Sequence, residues 1–182
     1  MTGQVVTHIQ RWLDEFVVGL ALCPFARPLL GAPNLRIAVC DDTTIAAMRH
    51  AFLSELDLLQ RSSEQNVATT LLAFPSALQN FEDYLDFLGD VQGLLHDAGL
   101  ESLVQLASFH PDYCFAGEAP DAASQYSNRS PYPIIHLLRE EMLTRALADF
   151  VDPQRIPDRN IETLNAMGSE ELARRWQSLF LP

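Results

Sequence analysis

Apolar residues recur at helical spacing from the start of the chain. Val5, Ile9, Trp12, Leu13, Phe16, Val17 and Leu20 fall on one stripe of a helix over 5–22. Pro24 ends that helix, because proline disfavours helical geometry in the residue before it, Cys23. A loop rich in Pro and Gly follows to about Asn34, and LRIAVC, 35–40, alternates as a strand does. Asp41-Asp42-Thr43 offer N-cap side chains for a second helix, whose stripe of Ile45, Met48, Phe52, Leu56 and Leu59 runs to about Arg61. VATTLLAFP, 67–75, is short and apolar on both faces, which suits a central strand. Ser76 and Gln79 have capping-box spacing ahead of a third stripe, Phe81, Leu85, Leu88, Val91 and Leu95, which Gly99 stops. LVQLASF, 103–109, is the third strand.

Strands and helices alternating with connections of this length predict parallel neighbours joined by right-handed crossovers. The expected fold is a single α/β domain over 1–182, with a small, mostly parallel sheet of about three strands, helices packed on it and a helical C-terminus. The pattern Ile134, Ile135, Leu138, Met142 and Leu147 predicts a helix over 131–150. Two short helices follow at about 160–167 and 170–180, with Gly168-Ser169 as stop and cap. Residues 110–130 show no period, and an irregular stretch of that length in a compact domain is functional or disordered. Tyr113, Phe115 and Tyr126 argue against disorder.

Composition narrows the function classes. No apolar run approaches the roughly 20 residues needed to cross a bilayer, and MTGQVVTHIQRW lacks the form of a secretory signal. A net charge of −12 opposes the phosphate contacts on which nucleic-acid binding depends. All 12 basic residues are Arg, so a Schiff-base lysine and a P-loop lysine are both excluded. The three cysteines, Cys23, Cys40 and Cys114, have no CxxC spacing, which fits a reducing cytoplasm. A glutaredoxin-type Cys-Pro-Phe turn at Cys23 is unsupported, because a helix precedes it where a strand belongs and Ala26 stands where a second Cys would. A structural Cys23 is expected.

The candidate chemistry gathers after the third strand, since ligands of open α/β sheets bind beyond the carboxyl ends of strands. His110 ends that strand, and Asp112 follows two residues later: a general base with its orienting carboxylate, two ligands of a divalent metal, or a strand cap beside an Asx turn. His136 and Glu140 share a face of the predicted helix, a spacing that suits a second proton-transfer pair, two further ligands, or an ordinary helical ion pair. Arg129, just before the expected helix start, joins Ser130 and Tyr132 as an anion site, or bridges its own loop. Asn128, Tyr113 and Arg139 complete the set of expected substrate contacts.

Three segments, WLDEFVVGLALCPFA, SFHPDYCFAG and YSNRSPYPIIHLLREE, resemble in order and spacing the bacterial family of domain of unknown function 1415. The likeness runs from about Gln10 to Asp149 and implies a small bacterial cytoplasmic protein, without carrying over an activity or a catalytic residue. The residues themselves lead us to expect an enzyme of hydrolase or lyase type. It would act on a small anionic metabolite, with His110, Asp112, His136 and Glu140 as acid-base groups or as ligands of a divalent metal. A second expectation is a binding or accessory module that docks a partner protein through 110–130, and a third is a structural lock over 110–141, in which Arg129 and Arg139 pair with nearby acids and Tyr hydroxyls satisfy loop amides. No nucleic acid and no membrane is expected as a partner.

Overall fold

The computed structural model describes residues 2–148 and 152–181. The first stripe forms helix α1 (Thr2–Trp12), which continues into a π-helical turn over Leu13–Val18. Strand β1 (Leu35–Val39), helix α2 (Ile45–Arg61), strand β2 (Thr69–Ala73), helix α3 (Phe81–Asp97) and strand β3 (Val104–Phe109) follow in the expected order. The cap of α2 is Thr44, whose side chain accepts from the Ala47 N–H. Asp42, among the residues expected to cap, instead accepts from Thr44 N and Oγ1. Asn80, not a Ser76/Gln79 box, caps α3 by accepting from the amides of Glu82 and Asp83.

The main departure lies at 134–139. IIHLLR is strand β4 (Ile134–Arg139), and helix α4 (Glu140–Ala148) begins only after it. The predicted helix over 131–150 is therefore a strand and a shorter helix, and its last two residues lie outside the described ones. The sheet order is β1-β2-β4-β3. β1 and β2 are parallel, whereas β4 runs antiparallel to both β2 and β3. The sheet is thus mixed and four-stranded, rather than mostly parallel with about three strands. The reason is the connection over 110–133, which returns the chain to fill the space between β2 and β3. A central strand is covered on both faces, so its apolar run does not alternate. Helices α5 (Ile156–Met167) and α6 (Ser169–Ser178) end the chain near the expected positions.

Each face of the sheet has its own core. On one, Leu72, Ile135 and Leu137 pack with Phe52 and Leu56 of α2 and with Tyr84, Phe87 and Val91 of α3. On the other, Leu71, Ala73 and Ile134 pack with Ile9 and Trp12 of α1, Phe16 and Val17 of the π-helical turn, Leu164 of α5 and Leu172 of α6. The molecule is a three-layer α/β single domain. Among the described residues, no helix is long and apolar enough to cross a membrane.

Candidate functional site

His110 and His136 stand on opposite faces of the sheet. His110 is fully buried on the α3 side, its ring 5.2 Å from those of both Phe81 and Tyr84. Its Nε2–H donates to the Leu78 carbonyl at 2.9 Å, and its Nδ1 accepts from the Asp112 N–H at 2.9 Å. A carbonyl can only accept and an amide can only donate, so the ring is fixed as the neutral Nε2–H tautomer with both nitrogens occupied. Burial lowers its pKa, which keeps it neutral. Asp112 orients His110 through its backbone amide; its own side chain is exposed. The two residues thus meet through the Asp112 amide and not through its carboxylate, and Leu78, the acceptor of Nε2–H, is held at φ 58.

The remaining expected contacts are also tied into the fold. Arg129 is not at a helix start, because β4 replaces that helix. Its Nη2 donates to the Pro120 carbonyl at 2.7 Å, and its guanidinium lies 4.9 Å from the centre of the Tyr126 ring. Ser130 donates to the Tyr132 carbonyl, Tyr132 Oη bonds His8 Nδ1 at 2.8 Å, and Asn128 donates to the Ser108 carbonyl at 3.0 Å. Tyr113 Oη lies 3.2 Å from Ser108 Oγ. Arg139 donates to the carbonyls of Leu59, Ser62 and Val67, so it closes the C-terminal end of α2. Glu140 opens α4 while His136 lies within β4, so the two share no helical face. Among the described residues, no group of three or more His, Cys, Asp or Glu is gathered closely enough to hold a metal ion.

The stretch 110–130 is anchored at 123–126, whereas residues 116–121 are exposed. Gln125, fully buried, accepts from the Phe115 amide at 2.8 Å and donates to the Ala119 carbonyl at 3.0 Å. Ala123 and Tyr126 pack into the core with α1 and α5.

His136 leads elsewhere. It lines a cavity of about 160 Å³ between the sheet and the first helix. Thr69 and Leu71 of β2, His136 and Leu138 of β4, and Ala107 and Phe109 of β3 form its floor. Trp12, Leu13, Val17 and Val18 roof it, Cys23, Phe25, Ala26, Leu29 and Leu30 close one side, and Met142 and Leu143 of α4 close another. None of these residues is charged. The roof depends on the π-helical turn, a widening of the helix that is frequent at functional sites. Gly19 permits it: a Cβ there would lie 2.5 Å from the Glu15 carbonyl oxygen and 2.8 Å from that of Asp14.

The cavity's polar groups are few. Burial pushes the Cys23 thiol pKa up, against the backbone amides of Phe25 and Ala26, which pull it down. His136 is half-buried, and burial pushes its pKa down to about 4. Its Nε2 lies 2.7 Å from Thr69 Oγ1, which in turn lies 2.6 Å from the Leu137 carbonyl oxygen.

A family model covers this whole arrangement, from the roof helix to α6, matching residues 4–174. The chain belongs to the DUF1415 family. That family is described as proteins of unknown function, and it includes the three segments that carried the resemblance. Neither a curated protein nor a solved structure matches the chain. The site of this DUF1415 member must therefore be read from its own atoms. Sequence reasoning passed over the cavity because its residues come from six separate segments. A signal was present nonetheless: LALCPFARPLL, 20–30, is far more apolar than a solvent-facing loop.

Proposed function

We propose that this DUF1415 protein binds a small, largely apolar molecule in the cavity beneath the first helix. The observation that carries this reading is a cavity of about 160 Å³ with uncharged walls, opening on a half-buried histidine. Ligand sites are apolar hollows with a few convergent polar groups. An apolar cavity of about 150 Å³ accepts a molecule the size of benzene, which bounds the ligand at about six to eight non-hydrogen atoms inside the walls. The expected anionic metabolite finds no Arg there to hold it. The acid-base set expected at the end of β3 is divided between two faces of the sheet, so the reading rests on binding rather than on that chemistry. Three free thiols support the reducing bacterial cytoplasm that the family resemblance implies.

Calorimetric titration with toluene tests the proposal. We expect saturable binding that is lost in Ala107→Leu and in Ala26→Leu, each of which adds a side chain into the space. Binding that survives in both folded variants would place toluene elsewhere and overturn the reading.

A further inference from the structure

The hydrogen bonds around His136 define what the cavity's ligand must offer. Thr69 Oγ1 lies 2.6 Å from the Leu137 carbonyl oxygen. Two oxygens at that distance need a proton between them, and the threonine hydroxyl has the only one. Its proton is therefore committed to the carbonyl, leaving a lone pair facing His136 Nε2 at 2.7 Å. That nitrogen must then carry the imidazole proton. The consequence falls on the far side of the ring, where Nδ1 is left as an unprotonated acceptor.

No hydrogen bond from a described residue reaches Nδ1, and it is not among the sealed, unpartnered polar atoms, which are Thr70 Oγ1, Arg129 Nε and Trp176 Nε1. His136 projects on the sheet face under α1, where the space beside it is the cavity. We infer that the ligand carries a hydrogen-bond donor that meets Nδ1 of His136, and that the Thr69–Leu137 pair selects such ligands by fixing the histidine tautomer. The class is a small apolar molecule ending in a hydroxyl, an un-ionised carboxyl or an amide N–H. At Nδ1 a carboxylate or an ether oxygen would face a lone pair with no proton between them.

This inference rests on the cavity being the binding site, and the two fail differently. The probes are toluene, phenol and methyl phenyl ether, which share a ring and differ in whether a donor, an acceptor or neither is attached. Comparing each affinity between the native chain and His136→Phe cancels the unequal hydration of the probes. The expected result is a phenol-to-toluene affinity ratio about tenfold higher in the native chain than in His136→Phe, with no such change for methyl phenyl ether. Thr69→Val removes the acceptor fixing Nε2–H and should weaken the preference without abolishing it. The nitrogen shifts of the His136 ring supply an independent reading: Nε2 protonated and Nδ1 bare. Toluene bound with no preference for phenol, or a protonated Nδ1, overturns the inference while sparing the cavity. If none of the three probes binds, the cavity reading and this inference fall together.

Discussion

An imidazole near the end of a strand can be a catalyst or a clamp, and the hydrogen bonds of His110 are those of a clamp. Both ring nitrogens are spent on the Leu78 carbonyl and the Asp112 amide, and the ring lies between Phe81 and Tyr84. Replacing it by Ala removes two buried hydrogen bonds and opens a void, so His110→Ala should lower unfolding stability by about 3 kcal/mol. Asp112→Asn keeps the amide and should change stability by less than about 0.5 kcal/mol. Denaturant unfolding of the two variants checks this, and equal losses would return the carboxylate to a structural role. His136 makes its mark through pH. Its pKa is held at about 4 in the fold, so the unfolded chain takes up a proton that the native state refuses. Stability is fully present above the unfolded value near 6.5 and falls as pH drops from there toward 4, by at most about 3 kcal/mol from this group. His110, also lowered, acts in the same direction. The exposed His96, raised by Glu101, acts in the opposite one. His136→Phe should therefore flatten the stability profile between pH 6.5 and 5, whereas a slope equal to the native one would show that this imidazole is not buried neutral.

Strand β4 is the element on which the reading of the sequence turned. IIHLLREEM satisfies a helical stripe because Ile134, Ile135 and Leu138 serve both faces of a central strand, and the acidic pair Glu140-Glu141 looks like a first turn wherever the helix begins. Only the pairing of β4 with β2 and β3 decides between the two, and pairing is long-range information. Tyr84 secures that geometry locally, with its hydroxyl donating to the Ile134 carbonyl and accepting from the Phe109 amide. Arg139, expected to touch substrate, instead ends β4 against the open carbonyls of α2. Arg139→Met should cost about 2 kcal/mol and raise amide exchange in the last turn of α2, since those acceptors lose a charged donor. Exchange unchanged there would remove Arg139 from the capping role. Gly19 supports the first helix in a comparable way. Gly19→Ala should cost about 1–3 kcal/mol, because the clash is with backbone oxygens that cannot swing aside.

For the molecule as a whole, local patterns made α2, β2, α3 and β3 legible, since each buries one stripe or one short run and carries its own punctuation. What they could not reveal was how the return segment 110–133 closes the sheet, and with it which side chains meet. His110 and His136 are near one another in the pattern yet separated by the sheet. The cavity drew no notice because its floor alternates through three strands while its roof needs a widened helical turn that no periodicity announces. The net charge of −12 leaves the cavity walls neutral, so charge identifies poor partners without naming a good one. Leu71 and Leu72 are adjacent in β2 and point to opposite cores, which makes their methyl groups a built-in control. In a carbon–proton methyl spectrum titrated with toluene, saturable shifts are expected at Leu71, Leu138 and Met142, with Leu72 and Leu56 unmoved. Shifts confined to the α2–α3 side, or spread evenly over both, would contradict binding in the cavity.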